Sequence, residues 1–174
     1  MSKKVIHLNV LSAKSIDKAI RDLEEWQRWL EEKTKEFVSE LAKEGMAVAS
    51  ARFASAQYDG TNDVSVHIEE RGEFAQAVVA TGNATLFIEF GTGVSYPDNH
   101  PEQMFTRGGY GYGLGRLPGG WMYDGDPGTN GEVITEGKYA GRIHTYGNPA
   151  NMAMYEAKRE IEAKFEEIAR RVFV

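Results

Sequence analysis

The chain has 174 residues, a formal net charge of -6 and no cysteine. This length is typical of one domain, here residues 1–174, and allows a hydrophobic core without covalent staples. The lack of cysteine excludes disulfides, a thiol nucleophile and cysteine-ligated zinc. No segment reads as a signal peptide or approaches the ~20 apolar residues that cross a bilayer. We therefore expect a soluble protein made in the cytoplasm, with no membrane partner.

The acidic charge is concentrated in the middle of the chain. Residues 46–148 contain 6 basic and 12 acidic side chains, a difference equal to the whole net charge of -6. Affinity for phosphates depends on Lys and Arg. The distribution therefore disfavours nucleic-acid binding as the main function, and we expect no sequence-specific nucleic-acid partner.

Residues 15–56 are predicted to be helical. Ser15 is the expected N-cap, and Asp17 follows in the first turn, where the helix dipole favours an anion. Apolar residues recur with a period of about 3.5–3.6, and we interpret their stripe as core packing. Gly45 could bend the helix or divide it in two. Trp26 and Trp29 widen the stripe, which consists of Ile16, Ile20, Leu23, Leu30, Phe37, Leu41, Val48 and Ala51.

Residues 63–92 are predicted to form three short antiparallel strands. Apolar and polar residues alternate there, and glycine-containing turns separate the runs. The short connections indicate a meander with the helices packed on one side. The inward-facing sets are Val64, Val66 and Ile68, then the run 74–80, then Leu86, Ile88 and Phe90.

Residues 149–172 are predicted to form a C-terminal helix. Asn148 is the expected cap and Pro149 the first helical residue, where its missing N–H costs nothing. One face of this segment is apolar, which again favours core packing. The predicted fold class is therefore α+β, with a long N-terminal helix and a C-terminal helix packed on a small antiparallel sheet.

A glycine-rich arm, residues 93–147, separates the strands from the last helix. It holds 14 of the 19 glycines and 4 of the 5 prolines. A hairpin is predicted from residues 131–134 to residues 142–144. The aromatic residues of the arm pack either on its own domain or on a neighbouring subunit, and the sequence leaves both open. The candidate subunit contacts are Tyr110, Tyr112, Trp121, Tyr123 and Tyr139.

The binding motifs for cofactors and metals are incomplete in this sequence. The glycine run 109–115 lacks the third glycine and the strand–helix context of a dinucleotide loop. Residues 124–128 resemble the opening of a calcium loop, but Thr129 stands where a glycine is required and the twelfth position is not Glu. A turn is the favoured interpretation. We therefore expect no cofactor and no metal.

Potential catalytic groups are present but are not arranged for catalysis. Ser95, Asp98 and His100 could be imagined as a triad, but triad members normally lie on separate elements of a rigid scaffold. Glu89 lies within an apolar segment, where capping backbone N–H groups or facing solvent is favoured over acid/base work. The sequence therefore predicts no enzyme.

Two short segments carry a family resemblance. The first motif segment, residues 86–93, reads LFIEFGTG, and the second motif segment, residues 145–155, reads TYGNPANMAMY. Together they resemble the two signatures of the "gene product ten"-like tail-component family of long-tailed bacteriophages. Residues 16–70 also resemble the N-terminal half of that family.

The resemblance implies structural rather than chemical roles for the motif residues. Gly91 and Gly93 would release the chain from the strand into the arm, and Thr92 would bond locally to the turn. The residues to which the motif assigns such roles are Phe87, Glu89, Phe90, Gly91, Thr92, Gly93, Gly147, Pro149 and Ala150.

The resemblance further implies a non-enzymatic virion protein of the neck or of tail completion. Such a protein is assembled in the bacterial cytoplasm as a ring, expected to be a hexamer, that joins tail to head and lets DNA pass. Its partners would be its own copies and the adjoining head-closure and tail proteins. The alternatives, in order, are a tail-terminator, minor-tail or tail-like bacteriocin component, a phage hydrolase, and a DNA-binding module.

Overall fold

The computed structural model describes residues 5–92, 119–129 and 131–174. These residues form the predicted α+β fold, with a long N-terminal helix, a C-terminal helix and two small antiparallel sheets. In chain order the elements are α1 (Ala13–Ala54), β1 (Ser65–Gly72), β2 (Ala75–Thr81), α2 (Thr85–Phe90), β3 (Trp121–Tyr123), β4 (Glu132–Val133), β5 (Ile143–Thr145) and α3 (Ala153–Val172).

Helix α1 is continuous over 42 residues, a length of about 63 Å. It begins at Ala13 with Ser12 as N-cap, so the prediction of Ser15 as the cap is wrong. The Ser15 hydroxyl instead accepts a hydrogen bond from the Asn9 N–H at 2.9 Å. The helix also continues through Gly45 without a break. This glycine allows α1 and α3 to pack closely, because a Cβ there would lie 2.6 Å from Ile161 Cδ1 on α3.

Helix α3 runs antiparallel to the C-terminal half of α1. Its C-terminal end lies near Trp29, whose ring centroid is 6.3 Å from that of Phe173, and Phe165 contacts Phe37 at 5.1 Å. The helix begins at Ala153, so the prediction that Pro149 is its first residue is wrong. The buried core lies where α1, α2 and α3 meet, and consists of Ala49, Phe53, Ala84, Ile88, Ala153 and Ala157.

The predicted third strand is wrong, because residues Thr85–Phe90 form the short helix α2. Burial in this segment falls on the adjacent residues Ile88 and Glu89 and does not alternate along it. The carboxylate of Asp63 fixes the start of the helix by accepting hydrogen bonds from the backbone N–H groups of Asn83 and Ala84, both at 2.9 Å. Strands β1 and β2 pair antiparallel, as predicted for the first two strands of the meander, and α1 packs against both.

Part of the arm folds into a second sheet with the order β3-β5-β4. The predicted hairpin between residues 131–134 and 142–144 is confirmed, with Val133 paired to Ile143 and Glu132 to His144. Strand β3 was not predicted. Arm residues 93–118 and 130 lie outside the described residues. They include the predicted site residues Gly93, Ser95, Asp98, His100, Tyr110 and Tyr112.

No helix in the described part of the chain has both the length and the apolar character needed to cross a membrane.

Candidate functional site

The two motif segments lie against each other. Thr92 and Asn148, 56 residues apart, exchange backbone hydrogen bonds: the Thr92 N–H donates to the Asn148 carbonyl at 2.9 Å, and the Asn148 N–H returns the bond at 3.1 Å. The Thr92 hydroxyl also donates to Asn148 Oδ1 at 2.8 Å. The expectation that Thr92 bonds locally is therefore wrong, because its partner belongs to the other motif segment.

Glycine is required where the two segments cross. Gly91 has a φ of 73°, and a Cβ there would lie 2.5 Å from the backbone nitrogen of Ala150. On the other side of the crossing, Gly147 has a φ of 95°. Since a side chain at Gly91 would overlap backbone atoms, the two segments can approach this closely only because it is a glycine.

Glu89 links the first motif segment to the start of α3. Its two carboxylate oxygens accept hydrogen bonds from the backbone N–H groups of Met154, at 2.8 Å, and Tyr155, at 3.0 Å. These N–H groups have no intrahelical partner, and Met152, the N-cap residue, makes no side-chain capping bond. The prediction that Glu89 caps backbone N–H groups is therefore confirmed.

Thr145 begins the second motif segment and joins it to the loop after α1. Its hydroxyl donates to a carboxylate oxygen of the buried Asp59 and accepts a hydrogen bond from the Gly147 N–H at 2.9 Å. The neighbouring Tyr58 is bonded to Thr129: the Thr129 N–H donates to the Tyr58 carbonyl at 2.9 Å, and the Tyr58 N–H donates to the Thr129 hydroxyl at 2.9 Å. The described part of the arm is thus fastened to its own domain at two points.

A cleft of about 410 Å³ opens beside this junction. Its walls are aromatic and acidic, and they include Trp121 and Tyr123 from β3, Asp124 and Asp126 from the turn that follows, and Phe87 from α2. In that turn, Asp126 accepts a hydrogen bond from the Gly128 N–H at 2.9 Å, and Asp124 accepts one from Arg142 at 3.1 Å. Residues 124–128 therefore form a turn, as the sequence favoured.

Burial and nearby carboxylates raise the pKa of two tyrosines in the cleft. Burial raises the pKa of Tyr123 to about 12, with further contributions from Asp59, Asp126 and Tyr58. Burial likewise raises the pKa of Tyr58, and the charges of Asp63 and Asp59 act in the same direction. Both phenols therefore stay neutral at physiological pH, where they can donate and accept hydrogen bonds but cannot act as bases.

Within residues 5–92, 119–129 and 131–174, no group of three or more His, Asp or Glu side chains could hold a metal ion. Of the four histidines, His67 lies 3.1 Å from Glu69 and His144 lies 2.7 Å from the Gly119 carbonyl. The contact of His67 is with a side chain two residues away, and the contact of His144 is with a backbone carbonyl.

The predicted subunit contacts have different environments. Trp121 and Tyr123 are half-buried in the cleft of their own domain. Tyr139 is 42% exposed, and the Lys138 ammonium lies 5.4 Å from its ring centroid.

Several large apolar side chains are exposed instead on α1. Its N-terminal part, residues 13–28, extends past the end of α3, and we call it the overhang. There Ile20 is 49% exposed and Leu23 53%, so the prediction of core packing is wrong for this half of the stripe. In the C-terminal half, Phe37, Leu41 and Val48 are partly buried and Val48 packs against the core, as predicted, whereas Ala51 is exposed. The buried residues there, Ala49 and Phe53, are not members of the predicted stripe. The predicted helix lengths already indicated the exposure of the overhang. The C-terminal helix predicted over residues 149–172 is too short to cover the helix predicted over residues 15–56.

No protein-family model matches the chain, and neither the curated proteins nor the solved structures include one that is significantly similar to it.

Proposed function

We propose that this chain is a non-enzymatic structural protein of a long-tailed bacteriophage, which helps to join the tail to the DNA-filled head. The observation that carries the proposal is the contact between the two motif segments. Thr92, Asn148 and Glu89 use their polar groups to hold a backbone path and to cap a helix. A motif with such roles fixes the backbone of the subunit and performs no chemistry. This agrees with the structural role that the resemblance implies.

Exposed apolar surface supports the assembly part of the proposal. The overhang presents Ile16, Ile20, Leu23 and Trp26, which are 39%, 49%, 53% and 44% exposed. Contiguous apolar surface of this kind marks protein contacts. A head-to-tail contact closes into a ring when the rotation between subunits is right. Several copies, a hexamer by analogy with phage tails, would form the ring, with adjoining head-closure and tail proteins on its two faces.

Acidic charge supports the passage of DNA through such a ring. The excess of carboxylates lies within residues 46–148, and Asp124, Glu132 and Glu136 are exposed there. A negative inner wall repels the phosphate backbone and keeps DNA from adhering. Reversing these three charges to Lys should slow DNA ejection, measured as the release of dye-labelled DNA from purified virions. Exchange to the matching amides, Asn at 124 and Gln at 132 and 136, provides the control for loss of charge alone.

The central test is electron microscopy of particles from a phage or prophage that lacks this protein. We expect filled heads and finished tails that remain separate, and joined particles when the wild-type chain is supplied. Tails of irregular length would indicate a tail terminator, and headless tail-like particles from the wild type would indicate a bacteriocin component. Intact infectious virions without the protein would contradict the proposal, as would cell-wall hydrolysis by the purified chain.

A further inference from the structure

Strand β2 borders an apolar groove. Within the described residues β2 pairs only with β1, so its other edge has no neighbouring strand. Consecutive residues 76–78 of this strand line a cavity of about 390 Å³, together with Leu41 and Ala42 of α1 and Ala157 and Ile161 of α3. A second cavity of about 340 Å³ continues past Ala80. Because Met154 and Lys158 line both, the two cavities form one groove along β2.

Polar atoms without partners lie at both ends of this groove. Gln76 Oε1, at one end, and Thr85 Oγ1, at the other, are buried and have no hydrogen-bond partner in the described part of the chain. Buried polar atoms are normally paired, and an unpaired one costs about 1–3 kcal/mol. The groove therefore has the features of a site for an added polypeptide segment.

The N-terminal segment, residues 5–10, has the complementary properties. Ile6, Leu8 and Val10 alternate with His7 and Asn9, which is the period-two pattern of a half-buried strand. In the structure this segment belongs to no helix or strand; Leu8 and Val10 are 55% and 70% exposed, and Ile6 is half-buried. It is a strand-like sequence without a sheet.

The segment cannot reach the groove of its own chain. Ser12 precedes α1, and Val38, at the near end of the groove, lies 26 helical residues further along, a distance of about 39 Å. The seven residues 5–11, fully extended, span at most about 25 Å. Residues 5–11 can therefore fill this groove only in another molecule.

Charge supports the same pairing. Lys3 and Lys4 precede the segment in the sequence. At the Gln76 end of the groove, Glu70 and Glu73 line the adjoining cavity, where Lys35 lies 3.2 Å from Glu73 and leaves one carboxylate in excess. A segment bound parallel to β2 brings the two lysines next to these carboxylates.

We infer that the N-terminal segment of one copy of this chain adds as an edge strand to β2 of the next copy, with Ile6 and Leu8 in the groove. Backbone hydrogen bonds to the edge would supply affinity, and the groove would select the side chains. The inference rests on the proposed assembly of several copies and names the contact that links them. Because donor and acceptor surfaces differ, the contact is head-to-tail and can close a ring.

Cross-linking tests the inference directly, since the chain has no native cysteine. Leu8→Cys and Ala77→Cys variants are purified separately, shown to fold by circular dichroism, and treated with a short bis-maleimide. We expect a covalent dimer only when the two are mixed. Thr135→Cys, on an exposed part of the arm, replaces Ala77→Cys as the control acceptor and should give at least about tenfold less product. Failure to link on mixing, or self-linking of Leu8→Cys alone, would overturn the inference.

A second measurement does not depend on engineered acceptors. A chain lacking residues 2–8 retains α1 and its cap, and a labelled peptide of residues 2–11 should bind it in a fluorescence-anisotropy titration. Ile6→Asp with Leu8→Asp in the peptide should weaken binding at least about tenfold, whereas His7→Asp, on the opposite face, should not. No binding, or equal binding of the three peptides, would count against the inference.

The two proposals fail in distinguishable ways. A variant that carries both Leu8→Cys and Ala77→Cys should give a ladder of cross-linked species that ends at the closed ring. A ring seen by electron microscopy without any ladder would leave the proposed function intact and overturn the strand addition. A ladder together with intact virions from the deletion strain would do the reverse.

Discussion

The carboxylate of Glu89 lies 2.8 Å from the backbone nitrogen of Met154, and this contact joins the end of α2 to the beginning of α3. Together with the bond to Tyr155, it provides the cap that the sequence around α3 lacks. The charge also lies at the positive end of the helix dipole, which favours an anion.

Glu89→Gln should therefore lower the free energy of unfolding by about 1–2 kcal/mol, because the charge is lost and the amide places a donor toward backbone N–H groups. Urea unfolding followed by circular dichroism measures the change. Glu132→Gln, on an exposed strand, serves as the matched control and should change stability little. Equal effects of the two exchanges would show that the cap contributes nothing.

Gly91→Ala should be strongly destabilising, by about 2–4 kcal/mol, because the new Cβ meets the Ala150 backbone at a positive φ. Gly137→Ala is the control for conformation alone. Gly137 has a φ of 84°, but no atom lies within 4 Å of the place that a methyl group would take there, so only the backbone strain of about 1 kcal/mol is expected. Thermal or urea unfolding of both variants separates overlap from strain, and similar losses would refute the close crossing.

The side-chain bond between Thr92 and Asn148 should appear as a coupling energy. In a double-mutant cycle with Thr92→Val and Asn148→Ala, we expect the two effects to deviate from additivity by about 0.5–2 kcal/mol. A second cycle keeps Asn148→Ala and replaces Thr92→Val by Thr81→Val, at an exposed threonine on β2. Its two effects should be additive within the error. Additivity in both cycles would mean that the two motif segments are not coupled through this bond.

The raised pKa of Tyr123, about 12, makes stability depend on alkaline pH. An unfolded tyrosine ionises near pH 10, so between pH 10 and 12 the folded state retains a proton that the unfolded state has lost. Stability from this group is complete below pH 10 and decreases as the pH rises toward 12. Tyr123→Phe should flatten that decrease in urea unfolding, whereas Tyr139→Phe should not. If the difference in phenolate absorbance between wild type and Tyr123→Phe were complete by about pH 11.5, as for an unshifted tyrosine, the shift would be contradicted.

The sequence predicted the elements whose signal is local. The stripe of α1, the alternation in β1 and the hairpin of β4 and β5 were all recognisable because neighbouring residues determine them. The segment from Leu86 to Phe90 was misread as a strand because so short a segment cannot separate a period of two from one of 3.6. Its helical state depends on Asp63, more than twenty residues away.

The site itself depended on contacts that no local pattern reveals. Glu89 could be interpreted as a capping residue, but its target, the start of α3, follows only from the crossing of the two motif segments. The contact of Asp59 with Thr145 had no sequence signal beyond an Asp-Gly turn. The exposure of Ile20 and Leu23 had one, because a 20-residue α3 cannot extend along the whole of a 42-residue α1.

Because α3 is much shorter than α1, the two ends of α1 are expected to differ in how often their backbone hydrogen bonds open. Amides near Ala49 and Phe53 are locked into the core and can exchange with solvent only when the whole fold opens. Between Lys14 and Leu23, Ala19 is buried but Ile16, Ile20 and Leu23 are 39%, 49% and 53% exposed. Amides there depend largely on the helix's own bonds, and short unsupported helices are marginal in water. One unbroken helix thus has a permanent end and an adaptable end, and a binding partner can order the second without disturbing the first.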